Sequence, residues 1–237
     1  MSWGYFEPYV SIGEKRAKAQ KKLEQLRKKD PNIQPVIIEG KKIAKTWWGM
    51  AWCKNLESYA DFHNRLGRGS AYVKNGFVID LRIEESLITA QVFGSSVYKV
   101  NIKIDKLSDS TWHKISDVCA KRIDSVAALA EGKFPKELED IFTQKGGLFP
   151  SPKEIHMDCS CPDWADVCKH VAAAIYGVGA RLDDDPLLFF KLRGVDPSEL
   201  IKKSVDEKMS ELLKNAGRKS RRAMSAKDAT RVFGEFK

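Results

Sequence analysis

Twelve consecutive residues constrain this chain more than any other stretch: Cys159-Ser160-Cys161-Pro162-Asp163-Trp164-Ala165-Asp166-Val167-Cys168-Lys169-His170. The pattern is C-x-C, six residues, then C-x-H. Three thiolates and one imidazole supply the four donors of a closed tetrahedral shell, which suits zinc. Soft sulfur ligands disfavour magnesium and calcium. Pro162 stiffens the turn between the pairs. The second pair falls where an apolar helical stretch begins, so the positive end of the helix dipole helps to keep Cys168 ionised. The chain has five cysteines, and three of them crowd into this segment. An odd, clustered set is a poor disulfide framework, and a metal site is the better reading. Cys53 and Cys119 lie in apolar helical surroundings and read as inert core thiols. His156 stands three residues before Cys159 as a spare imidazole that competes weakly with His170. Asp158, Asp163 and Asp166 flank the site as capping or supporting groups.

Charge is the second constraint. The formal net charge is +9, and it is carried by the ends. Residues 1–35 hold eight Lys and Arg against four Asp and Glu, and residues 202–237 hold eleven against five. The middle is nearly neutral. Basic ends on a neutral body point to a polyanionic partner, most often nucleic acid. The longest plainly apolar run, Val171 to Val178, is far shorter than the roughly 20 residues that cross a bilayer. The opening Met-Ser-Trp-Gly soon turns polar, with no signal-peptide core. The expectation is a soluble, cytoplasmic protein without a membrane partner.

Hydropathy periods place the elements. Residues 14–30 read as a helix with few apolar anchors, and Pro31 and Pro35 set a boundary after it. Thr46 is a candidate N-cap for a helix carrying Trp48, Trp52, Leu56 and Tyr59 on one face, read as core anchors rather than a base-stacking platform. Residues 61–70 read as a loop in which Arg65 and Arg68 are candidate phosphate contacts. Ala71 to Lys74 and Phe77 to Ile83 alternate around Asn75-Gly76, a hairpin signal. Leu87 to Phe93 and Val97 to Ile104 continue the period of two. A four-stranded antiparallel meander with one wet face follows, and the tryptophan helix is the nearest element to cover it. Ser108 is expected to cap a helix reaching about residue 130, Pro135 to open a short one, and Lys153 to Asp158 to form a strand entering the cysteines. Helices from Cys168 to Leu182, from Pro186, and from Pro197 to Asn215 complete the chain. The fold class is α+β: a helix-covered sheet, then a helical region with the zinc finger. The segments are 1–35, basic; 36–106, sheet and tryptophan helix; 107–200, helical, with the finger at about 153–180; and 201–237, a basic helix and tail.

The zinc spacing, the tryptophan between the ligand pairs and the following Val171-Ala172-Ala173-Ala174-Ile175-Tyr176 resemble the SWIM zinc finger. Further words resemble the N-terminal part of stand-alone prokaryotic SWIM proteins: Thr46-Trp47-Trp48-Gly49-Met50-Ala51-Trp52-Cys53, Asn64-Arg65-Leu66, Gly69, Tyr72-Val73, Gly76 and Gly94-Ser95-Ser96-Val97-Tyr98. The resemblance spans roughly residues 40–180 and implies zinc binding together with DNA or protein interaction, often beside a helicase-like ATPase.

On this reading the protein is a zinc-dependent nucleic-acid-binding accessory factor. Lys169, Arg65, Arg68, Lys214, Arg218, Lys219, Arg221 and Arg222 are its candidate phosphate contacts. The alternative is an adaptor whose finger docks a partner ATPase or recombinase without touching nucleic acid. An enzyme is the weakest reading, because four strong ligands leave no open zinc position. The sequence also lacks a phosphate-binding G-x-x-x-x-G-K-[ST], a nucleophile elbow and H-E-x-x-H. Asp183-Asp184-Asp185 reads as a solvated helix end, and His63 and His113 as isolated imidazoles.

Overall fold

The computed structural model describes residues 10–58, 63–122, 134–144, 146–216 and 231. Among them the fold is α+β, built on one four-stranded antiparallel sheet in the order β1-β2-β3-β4. The strands are β1 (Val78–Glu84), β2 (Leu87–Phe93), β3 (Val97–Ile104) and β4 (Ile155–Cys159).

The expected meander is therefore corrected at one strand. Ala71 to Lys74 is not a strand, and residues 63–70 are not a loop. Both belong to helix α3 (His63–Lys74). The Asn-Gly pair ends that helix instead of turning a hairpin. Gly76 has φ of +71°, its N–H donates to the Val73 carbonyl, and the Phe77 N–H reaches back to the Tyr72 carbonyl, both at 3.0 Å. This is a Schellman close, completed by Tyr72 and Phe77 packing edge to face at 5.2 Å. Positive φ serves a helix end as well as a hairpin, so the dipeptide alone does not decide between them. The fourth place is taken by β4, the strand expected to enter the cysteines, which returns far along the chain to pair with β3, placing Val100 opposite Cys159 and Ile102 opposite Met157.

A bulge in β1 between Val78 and Asp80 switches which face each residue takes. Val78 and Leu81 join the main core, while Ile79 joins a smaller one on the opposite side. That smaller core receives α1 (Ile12–Arg27), whose start is fixed by a capping box between Ser11 and Glu14. Ala19 and Leu23 of α1 pack there with Ile33, Phe77 and Ile79. The helix read as having few apolar anchors thus has a buried stripe. Further along that face Lys99, Asn101 and Lys103 are exposed, the wet side that alternation predicted.

The main face is covered by α6 (Lys169–Asp184), which touches all four strands. Eleven of its sixteen residues are buried, which makes it a central rather than a surface helix. The tryptophan helix α2 (Trp47–Glu57) and α3 both pack on α6, so α2 forms a second layer rather than the expected sheet cover. Its indoles are core anchors. Trp52 is buried and donates to the Ile175 carbonyl at 2.9 Å, Trp48 to Leu182 at 2.8 Å and Trp47 to Phe134 at 3.0 Å. Tyr59 lies outside the described residues. Small residues let these helices approach: a Cβ on Gly69 would stand 2.5 Å from the Ala172 Cβ, and one on Gly179 would stand 2.5 Å from the Cys53 sulfur.

Asp183 corrects a further expectation. Its carboxylate accepts from the backbone N–H groups of Lys45 (2.5 Å) and Thr46 (3.1 Å) and from the Thr46 hydroxyl. It is a pin holding the start of α2, not a solvated residue. Helix α4 (Asp109–Arg122) starts at Ser108 as expected, and its expected continuation lies outside the described residues. It is followed by a short α5 (Glu139–Thr143), then, after β4 and α6, by α7 (Leu188–Arg193) and α8 (Pro197–Ala216). α8 packs along α4, and Lys203 pairs with Asp117 at 2.7 Å. The fully buried Arg193 ties three segments together, donating to the Asp105 carbonyl at 2.8 Å and to Glu154 at 2.6 Å.

Candidate metal centre

The four expected ligands come from three local structures. Cys159 is the last residue of β4. Beyond it, the Ser160 N–H donates to the Lys99 carbonyl at 3.0 Å, and the Lys99 N–H donates to the Ser160 hydroxyl at 2.9 Å. These bonds hold the turn that carries Cys161. Cys168 is the N-cap of α6, its sulfur accepting the Val171 N–H at 3.4 Å. His170 sits in the first turn of the same helix and is 2% exposed.

The structure brings these residues together. One donor atom from each of Cys159, Cys161, Cys168 and His170 lies within 4.8 Å of every other. His170 Nδ1 stands 3.9 Å from both the Cys159 and the Cys168 sulfur. A zinc tetrahedron with bonds of about 2.3 Å to sulfur and about 2.0 Å to nitrogen has sulfur–nitrogen edges of about 3.5 Å. The two measured sulfur–nitrogen edges need to close by a few tenths of an ångström, and the widest edge of the group by no more than about 1 Å, to seat an ion. The donor set and spacing fit a zinc finger, with Nδ1 as the histidine ligand.

Electrostatics prepare the site for a cation. The Cys168 thiol is held down to about 4 by its hydrogen bond with Cys159, aided by His170 and by backbone N–H donors at the helix start. Cys159 is pushed up, chiefly because it donates to Cys168, and Cys161 is pushed up chiefly by burial. One thiolate is thus favoured without a metal, and a divalent ion held by the four residues would displace the remaining thiol protons. Cys53, away from the cluster, is pushed up to about 12, mainly by burial, in keeping with an inert core thiol.

Aromatic rings fix the imidazole. Tyr98 of β3 stacks on His170 with centroids 4.3 Å apart and planes 27° from parallel, and Tyr72 of α3 meets its edge at 5.6 Å. The Tyr98 hydroxyl is held by Ser95 at 2.7 Å. Gly94 makes room for this stack, since a Cβ there would lie 2.7 Å from the Tyr98 ring and 3.1 Å from His170 Nε2. The Gly94-Ser95-Ser96-Val97-Tyr98 word thereby acquires a physical role as the wall behind the histidine ligand. His170 Nε2 is buried and has no hydrogen-bond partner among the described residues.

The sequence-chosen cations separate into groups. Arg65 lies on α3 and clasps Asp163 of the ligand loop through Nε (3.1 Å) and Nη2 (3.2 Å). It braces the finger from outside. Arg68 is exposed one turn further along α3. Lys169 is the first residue of α6, with its ammonium 6.0 Å from the Tyr72 ring centre. Lys15 of α1, which sequence reasoning did not single out, lies over the same ring at 4.3 Å and donates to the Tyr72 hydroxyl at 2.7 Å. Only a long-range contact of α1 reveals it, and no local pattern signals that. Lys214 is exposed near the end of α8. Arg218, Lys219, Arg221 and Arg222 lie outside the described residues. His156 points away from the cluster and pairs with Asp105 at 3.1 Å, so it is not a competing ligand here. His113 pairs with Glu199, and the His63 side chain is outside the described set. Among the described residues no helix is long and apolar enough to cross a membrane.

Comparison with known proteins gives one informative match. The chain is 37% identical over 163 residues to the uncharacterized protein Rv2102 of Mycobacterium tuberculosis, across 67% of this chain and 58% of that protein. It thus spans less than two thirds of that relative's length. No family model matches the chain, and no solved structure matches it.

Proposed function

We propose that this is a SWIM-type zinc protein that binds nucleic acid as a non-enzymatic accessory factor. The observation that carries the nucleic-acid reading is the pair of ammonium groups, Lys15 and Lys169, gathered over one tyrosine beside the metal site. Neither has a carboxylate partner within ion-pair distance among the described residues. Two ammonium groups brought to one ring raise the local positive potential, which a phosphate lowers. The basic termini add to the same attraction. Supporting the SWIM reading are the ligand spacing, the tryptophan in the ligand loop and the central helix that opens on the C-x-H pair. Supporting a structural rather than catalytic metal is the filled four-donor shell, which leaves no position for water or substrate.

The test is binding of labelled DNA by zinc-loaded protein across a salt series. Affinity is expected to fall steeply with salt, and the Lys15→Ala/Lys169→Ala double variant to flatten that slope by about 2. A flat salt response for the unaltered protein refutes the reading.

One observation favours the adaptor alternative. Val205, Met209, Leu212 and Leu213 are exposed along α8, an apolar stripe suited to a protein partner such as a helicase-like ATPase or recombinase. Its discriminator is a pull-down that survives nuclease treatment, with loss in Met209→Ser/Leu212→Ser assigning the partner to α8 and loss in Cys168→Ser assigning it to the finger.

A further inference from the structure

Trp164 is 80% exposed, the most exposed of the large apolar side chains among the described residues. Leaving so large an apolar side chain in water forgoes the stabilisation that its burial would bring. Slack in the loop does not explain the exposure. On one side Asp163 accepts a hydrogen bond from Arg65 Nη2, ion-pairs with its Nε at 3.1 Å, and itself accepts the Ala165 N–H at 3.4 Å. Cys161 precedes it as a metal ligand. On the other side Ala165 and Val167 are buried, and Cys168 anchors the helix start. The indole is thus held outward by a loop fastened at both ends.

The surroundings favour an anionic, flat ligand. Lys169 lies between the last two metal ligands, Arg68 is exposed on the helix that braces the loop, and Lys15 stands over Tyr72. The opposing charges are the exposed Asp166 and the excess negative charge of a zinc ion with three thiolates. Asp163 is neutralised by Arg65. Asp158 sits opposite Asn101 on the other face of the sheet, because Cys159, its neighbour, faces α6. Bases inside a duplex offer no open face to a side-on indole, whereas an unpaired base does.

We propose that Trp164 is a stacking platform for an unpaired base, which makes single-stranded nucleic acid the preferred ligand of the finger. The inference rests on the nucleic-acid reading above and narrows it. Phosphates flanking the stacked base fall to Lys169, Arg68 and Lys15.

The test uses the full zinc-loaded chain and fluorescence anisotropy with two probes, a labelled oligothymidylate and a labelled duplex. Wild-type protein is expected to bind the single strand more tightly. Trp164→Ala should weaken single-strand binding roughly 5- to 100-fold, the value of one stacked base, and leave duplex binding unchanged. Trp164→Phe should recover most of the loss, and the indole fluorescence should be quenched on binding in the wild type. Equal single-strand affinity in wild type and Trp164→Ala overturns the inference while leaving the lysine-based reading intact. Binding of neither probe by the wild type overturns both. A nuclease-resistant protein complex abolished by Trp164→Ala, with oligothymidylate affinity unaltered, reassigns the platform to a peptide and also overturns the inference.

Discussion

Gly67 and Gly69 lie two residues apart in α3 and should respond oppositely to the same change. In a helix interior alanine is favoured over glycine by about 1 kcal/mol, so Gly→Ala stabilises when nothing interferes. A Cβ at Gly67 meets nothing within 4 Å. Gly67→Ala should therefore raise stability by about 0.5–1 kcal/mol. A Cβ at Gly69 would lie 2.5 Å from the Ala172 Cβ, 3.0 Å from the Ala173 nitrogen and 3.1 Å from the Ala172 carbonyl carbon. Optimal carbon–carbon separation is about 3.5–4.0 Å. The neighbours are backbone or attached directly to it, so no side-chain rotation relieves the clash and the helices must part. Overpacking of this kind costs about 1–3 kcal/mol, and rigid neighbours place it at the upper end. After the gain in helix propensity, Gly69→Ala should lose about 2 kcal/mol. For a chain of this size that is a fall in Tm of about 4–8 °C. Ala172 follows His170 by two residues, so the parted helix also shifts a metal ligand, and zinc should pass to a chelator faster. Urea unfolding of the zinc-loaded variants, with the double variant Gly69→Ala/Ala172→Gly, measures the pair. The double variant should recover most of the loss, because the partner Cβ is gone. Equal shifts for Gly67→Ala and Gly69→Ala, or a Gly69→Ala protein as stable as wild type, would refute the packing argument.

Cys168→Ser should reduce zinc content from about one ion per chain to near none by elemental analysis, since it removes both a ligand and the thiolate favoured at the helix start. Gly94→Ala should push Tyr98 or His170 aside and weaken zinc retention about 10- to 100-fold in chelator competition, the scale found when groups supporting a ligand are lost. Asp183→Ala leaves two backbone N–H groups and a hydroxyl without their acceptor and should cost about 1–3 kcal/mol in urea unfolding. Glu154 is held below its ordinary value. Burial opposes this, but bonds from Ser151 and the pairing with Arg193 outweigh it. Its stabilisation is therefore complete above the unfolded carboxyl value near 4.3 and fades as pH falls through the lower folded value. Between pH 5 and 3 the urea midpoint of Glu154→Gln should fall less than that of wild type.

The clustering of the four candidate metal ligands was legible because all four lie within one short segment and their chemistry is unusual at that spacing. The strands from Val78 to Ile104 and the short strand entering the cysteines were legible as strands, but not that the latter takes the fourth place in the sheet that Ala71 to Lys74 was expected to fill. Ala71-Tyr72-Val73-Lys74 alternates like a strand, and Gly67 and Gly69 mimic a loop. Yet Leu66, Gly69 and Val73 form the buried stripe of a helix whose glycines serve its approach to α6. A four-residue window holds too little phase to separate periods of 2 and 3.6. Covering the sheet with α2 followed from nearness in sequence. The structure instead uses α6, whose run of alanines and glycines allows it to be buried on several sides at once. Lys15, Tyr72 and Tyr98 around His170 were not legible as a group, because α1, α3 and β3 meet only in the folded molecule.

The return of β4 to the sheet bears on the order in which the chain assembles. Pairing Ile104 with Ile155 closes a long excursion through α4 and α5, whereas gripping a metal closes only the segment from Cys159 to Cys168-Lys169-His170. Loop-closure entropy grows with the length enclosed, so the ion's loop forms at lower cost and without waiting for distant partners. The knuckle can therefore arrive at the growing sheet as a finished part, its leading cysteine already oriented to extend the last strand. In a chain short of zinc, the edge of the sheet is then the first thing left unbuilt.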